Sequence, residues 1–99
     1  MWKNDLILFE KITGKSPNAV SAHNNLGLVY AGQGRFDEAI EEYLIALKLK
    51  PTEVNIHYNL GLAYKKKGLS DEAKKKFEIV LKLKPDFTEA QKALKHLNE

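Results

Sequence analysis

The sequence predicts an all-α solenoid built on a 34-residue unit, and three observations carry that prediction. Residues 20–53 laid over residues 54–87 agree at 17 of 34 positions. A fixed period of this length marks units that bury their apolar faces against one another. Within each unit, apolar residues recur at i, i+4 and i+7, the spacing of one helix face. Glycines and prolines fall between these runs, where antiparallel helices must turn and restart.

The 99 residues are expected to form one domain of six helices, near 3–13, 20–33, 36–49, 54–67, 70–83 and 86–97. In the repeat frame Phe9 aligns with Tyr43 and Pro17 with Pro51, so residues 1–19 read as the second helix of a preceding repeat whose first helix is missing. Gly14 is expected to end that helix. Leu6, Ile7, Leu8, Phe9 and Ile12 surround most of its circumference, which suits a helix covered on several sides. An uncovered face there would favour self-association through residues 1–13.

The first full repeat spans 20–53 and the second 54–87. His23-x-x-Leu26-Gly27-x-x-Tyr30 recurs as His57-x-x-Leu60-Gly61-x-x-Tyr64, and Asp37-Glu38-Ala39 recurs as Asp71-Glu72-Ala73. Gly27 and Gly61 lie inside helices, where glycine costs about 1 kcal/mol relative to alanine. Such a position needs close helix approach, and Ala39 and Ala73 are the expected residues across that contact. Gly34 and Gly68 mark the turns within each repeat, and Pro51 and Pro85 close the repeats. Asn18, Thr52 and Asp86 are expected N-caps, with Asp86-x-x-Glu89 close to a capping box. The segment 88–99 carries the last helix, where Leu94 aligns with Leu60 but Lys95 replaces the seam glycine. It reads as a polar cap on the final apolar face.

Leu-Gly-x-x-Tyr, then Ala, Tyr or Phe, Ala and Pro at these spacings resembles the tetratricopeptide repeat family over residues 20–87. The resemblance implies a right-handed superhelix of antiparallel helix pairs that binds another polypeptide. With no nucleophile motif, phosphate loop or paired-carboxylate signature in the sequence, no catalysis is expected. Two positions depart from the family pattern: histidine replaces the tryptophan usual three residues before Leu-Gly, and Val80 replaces a second-helix alanine. A shorter likeness joins Trp2-Lys3-Asn4-Asp5, Leu8 and Lys15-Ser16-Pro17-Asn18 to the junction after the last span of bacterial membrane proteins related to glycosyltransferases. It implies an alternative, the soluble repeat tail of a membrane glycosyltransferase-like protein.

In the family, the first helices of successive repeats line a concave groove for a peptide or helix of a partner protein. With His23, Leu26, Gly27 and Tyr30 facing the seam, helical geometry puts Ser21, Asn24, Asn25, Leu28 and Ala31 on the opposite stripe. The second repeat supplies Asn55, Tyr58, Asn59, Leu62 and Lys65. Asn25 and Asn59 offer donors and acceptors for backbone amides. Leu28, Leu62 and Tyr58 offer apolar contact, and Lys65 and Lys92 can meet acidic groups. The carboxylate clamp that related repeats use for heat-shock chaperone tails is not matched, since its lysine-x-x-x-asparagine pair falls on Asn24 and Leu28. Asn59 fits, but the clamp's later basic residues fall on Glu89 and Ala93.

Competing functions find little support. The balance of 16 basic and 13 acidic residues gives a formal net charge of +3, with the excess in Lys65-Lys66-Lys67 and Lys74-Lys75-Lys76. These runs are the basis for an electrostatic alternative, binding of nucleic acid or an acidic surface, but no aromatic residues are interleaved to stack on bases. Nucleic acid is therefore not expected as a partner. The chain has no cysteine, and neither His23 nor His57 has a carboxylate at ligand spacing, so no metal or cofactor is expected. The longest apolar run, Leu6-Ile7-Leu8-Phe9, is far short of the roughly 20 residues of a membrane span. No membrane insertion by this segment is expected, and the sequence does not fix the compartment.

Overall fold

The computed structural model describes residues 19–97 as five α-helices and no strands. They are α1 (Ala19–Gly32), α2 (Phe36–Leu49), α3 (Val54–Lys66), α4 (Ser70–Leu83) and α5 (Thr88–Leu97). The expected helix at 3–13, and the self-association assigned to it, lie outside the described residues. Helices α1 and α2 pack as one pair and α3 and α4 as the next; α2 also packs on α3, and α4 on α5. The first helices α1 and α3 touch directly and so form one layer of the array.

Glycine sets both turns within the repeats. Gly34 and Gly68, at φ of +78° and +83°, are the positive-φ residues among those described. A left-handed residue just past a helix end lets the chain satisfy its last carbonyls, at no Cβ cost for glycine. Arg35 N–H donates to Tyr30 O at 2.9 Å and Gly34 N–H to Ala31 O at 3.0 Å; Leu69 to Tyr64 and Gly68 to Lys65, both at 2.9 Å, repeat the pattern. This paired closure makes α2 and α4 return antiparallel to the helices before them.

The links between repeats close differently from expectation. Thr52 does not cap α3, because Glu53 takes the N-cap position without a side-chain bond, and the amides of Ile56 and His57 bond the Glu53 carbonyl. Asp86 does not cap α5 either, since that helix begins only at Thr88. Pro85 instead sits inside a turn closed by Phe87 N–H on Lys84 O at 3.1 Å, and proline's fixed φ suits that position. Two side chains then tie the turns down. His57 Nε2–H donates to Pro51 O at 2.8 Å, and Gln91, one repeat later, donates from Nε2 to Pro85 O at 2.8 Å. A lysine–aspartate ion pair, Lys67 with Asp37, further joins the two repeats.

The seam within each repeat is a ring laid over a glycine. A methyl group at Gly27 would stand 2.5 Å from Tyr43 Cε1, and one at Gly61 would stand 2.6 Å from Phe77 Cε1. Carbon atoms do not approach so closely, so the rings occupy the space the absent Cβ leaves. Ala39 and Ala73, expected across that contact, are fully buried, and the atoms nearest the missing Cβ are those of the Tyr43 and Phe77 rings. The core runs from Ala39, Tyr43 and Ala46 through Leu47 and Ile56 to Leu60 and Ala63; a second cluster centres on Ala73, Phe77 and Ala93. Val80, which replaces the usual alanine, is also completely buried.

Gly61→Leu is expected to destabilise the protein by about 1–3 kcal/mol through overpacking against a ring that has no free space to enter. Gly32→Ala is the control, because nothing lies within 4 Å of a Cβ there. That change should be neutral or stabilising by up to about 1 kcal/mol. Urea unfolding of both variants checks the pair. Equal stability of Gly61→Leu and the parent would remove the seam.

Burial also raises the phenols of Tyr43, Tyr58 and Tyr64 above their ordinary value of 10.0, with Glu89 adding to the effect at Tyr58 and Glu72 at Tyr64. The folded chain therefore holds these protons to higher pH than the unfolded chain does. Their contribution to stability is complete below about pH 10 and is lost as pH rises through the folded values. Ultraviolet titration of tyrosinate should show these rings ionising later than a free phenol. Titration of Tyr43, Tyr58 and Tyr64 near 10.0 in the folded protein would contradict their burial.

Candidate functional site

The outer stripe of α1 and α3 divides into two neighbouring clefts. Ser21, Asn24 and Asn55 line a polar one of about 350 Å³, together with Lys50 and Glu53. Leu28, Ala31, Asn59 and Leu62 line a larger one of about 570 Å³, with Phe36 and Lys66 completing its wall. Leu28 is 46% exposed, an apolar side chain held largely in water.

Asn59 and Asn24 bridge the two clefts. Asn59 Nδ2 donates to Asn24 Oδ1 at 3.0 Å, and both side chains are half-buried. The pairing was not legible from the repeat, because the residue equivalent to Asn59 is Asn25, not Asn24. The bond spans adjacent first helices and so needs their lateral spacing. Asn24 keeps its amide N–H groups, and Asn59 keeps its carbonyl oxygen, for other partners.

Tyr58, expected on the same stripe, packs among aromatic rings. Its ring lies 5.8 Å from Phe77 and 5.2 Å from Phe87, centroid to centroid, both tilted. It therefore packs toward α4 and the start of α5 and does not line either cleft, despite its place on the helical wheel. Burial pushes its hydroxyl upward, with the Glu89 carboxylate a smaller cause. Asn25, Lys65 and Lys92 are exposed and line neither cleft; Lys66 takes the rim position foreseen for Lys65.

The histidines sit at the seams. His23 Nδ1 lies 2.7 Å from Glu42 Oε1 across α1 and α2. Lys76 occupies the position equivalent to Glu42 in the second repeat, so His57 meets no carboxylate there and bonds the Pro51 carbonyl. Among the described residues no three His, Asp or Glu side chains gather as metal ligands, and no helix is long and apolar enough to cross a membrane.

Comparison with known proteins agrees with this architecture. A family model described as "TPR repeat" matches residues 30–68, and one described as "Tetratricopeptide repeat" matches residues 54–87. No curated protein sequence matches the chain. Among solved structures, the first TPR of Spaghetti (RPAP3), bound to the HSP90 peptide SRMEEVD, superposes with a TM-score of 0.84 at 24% identity. That match covers 91% of this chain and 71% of the other. YrrB, described as a TPR protein with an unusual peptide-binding site, gives 0.81 at 24% identity over 94% of this chain. A structure of MamA gives 0.77 at 28% identity over 91% of this chain. The chain spans about half the length of the last two, 48% and 49%. With its 34-residue period, its ring-over-glycine seams and these matches, the chain belongs to the tetratricopeptide repeat family.

Proposed function

We propose that the chain is a protein-interaction module whose groove, along α1 and α3, holds an extended segment of a partner protein. The observation that carries this reading is the Asn59–Asn24 bridge at the meeting of the two clefts. Its unused amide donors and carbonyl acceptor match the C=O and N–H of a peptide unit, which every sequence presents. The neighbouring cleft, with Leu28, Phe36 and Leu62, offers apolar cover for one side chain of that segment. Two structural neighbours lend support by analogy, since one holds an HSP90 peptide and the other is described by its peptide-binding site. A chaperone tail is not the partner favoured here, because Glu89 stands where the clamp needs a base.

Peptides selected from a random linear library, titrated calorimetrically, test the reading. Asn24→Ala combined with Asn59→Ala should weaken the best binder about tenfold, the scale of losing one or two hydrogen bonds to it. Lys74→Ala with Lys75→Ala should leave affinity unchanged within about twofold, since a groove peptide gains nothing from exposed charges on another helix. Tyr58→Ala separates packing from binding: it should cost about 2 kcal/mol in unfolding free energy as a half-buried ring. Loss of binding in the lysine variant with retention in the asparagine variant would transfer the function to the lysine runs.

A further inference from the structure

The second helices carry a surface that the groove does not use. A cleft of about 430 Å³ opens between α2 and α4, walled by Leu44, Ile45, Leu47 and Lys48 of α2, Lys76 of α4 and the buried His57 of α3. Leu44 and Ile45 are 44% and 40% exposed, so the apolar wall stands in water. Two ammonium groups flank it, and no carboxylate lines it.

This charge arrangement is particular to the second repeat. Glu41 and Glu42 in α2 align with Lys75 and Lys76 in α4. In the first repeat the acid pairs with His23; in the second the base does not pair with His57, whose Nε2 is committed to Pro51 O. His57 Nδ1 is buried without a hydrogen-bond partner. The exchange of Glu for Lys therefore removes a seam contact and leaves a cation beside an exposed apolar wall.

We infer that this cleft is a second docking surface, for an acidic segment of a partner protein in which a carboxylate adjoins a bulky apolar side chain. The apolar side chain covers Leu44 and Ile45, and the carboxylate lies between Lys48 and Lys76. Charge complementarity selects the sign of the partner, while apolar burial supplies most of the attraction. A small free ligand fits less well, because such sites enclose roughly 70–90% of the ligand surface. This cleft is open, so its occupant must bring its own cover, as a segment of a larger protein does.

The test uses the full chain, labelled with nitrogen-15, and two blocked peptides as probes: acetyl-Glu-Leu-Glu-Leu-Glu-amide and its lysine counterpart. The acidic probe should give saturable shifts at Ile45, Lys48, His57 and Lys76, and the lysine probe none. Lys76→Glu gives the second repeat the acid that the first carries at Glu42, and it should weaken the acidic probe about tenfold. Lys48→Glu, on an exposed position, should act in the same direction and serves if the first variant folds poorly. Asn24→Ala with Asn59→Ala should leave this binding intact, so the result is independent of the groove. Absence of shifts, shifts confined to Asn24, Asn59 and Leu62, or equal affinity in the folded charge-reversed variants would overturn the proposal.

Discussion

Each repeat depends on an aromatic ring packed where a glycine has no side chain. Tyr43 over Gly27 and Phe77 over Gly61 bring the two helices of a pair closer than any residue with a Cβ would allow. Glycine within a helix sacrifices about 1 kcal/mol of propensity, and completely burying a large ring returns more than that. The close pair also favours small residues beside the ring, as at Ala39 and Ala73 with zero exposure. Once the pair is set, the outer face of its first helix is turned away from the seam, and stacking two such pairs leaves the two clefts along α1 and α3.

Repetition builds the scaffold, and departures from it build the surface. Where the repeats agree, at the seam glycines, the turn glycines and the closing prolines, the residues hold backbone geometry. Where they differ, neighbouring chemistry changes. Asn24 and Tyr58 occupy equivalent positions, yet one reaches across to Asn59 and the other packs on Phe77 and Phe87. Glu42 and Lys76 are likewise equivalent, and that exchange alters both the partner of the adjacent histidine and the charge of the second-helix surface.

Much of the fold was legible because its signals are local. The helices Phe36–Leu49 and Ser70–Leu83 coincide with their expected ranges, since a positive-φ glycine before each and a proline after each leave little freedom. The caps were not legible, because Thr52 and Asp86 are good capping types placed inside proline turns that end before the helices begin. The stripe opposite the seam was drawn from one helix at a time. Such a wheel puts Ser21, Asn24, Leu28, Asn59 and Leu62 on one stripe, and these line the two clefts, but it cannot know that α4 and α5 approach Tyr58 from the side. Nor can it show that the bonded amides come from different registers. Contacts between repeats depend on superhelical spacing, which no single period encodes.

The most direct measurement of the central claim is a double-mutant cycle between Gly61 and Phe77, followed by urea unfolding. In the parent background Gly61→Ala should destabilise, because the added methyl meets the ring. In a Phe77→Leu background, where the ring edge is gone, the same change should be neutral or stabilising through its gain in helix propensity. A coupling of at least about 1 kcal/mol between the two sites is predicted, the scale expected of residues in contact. Strict additivity, with Gly61→Ala having the same effect in both backgrounds, would contradict the account.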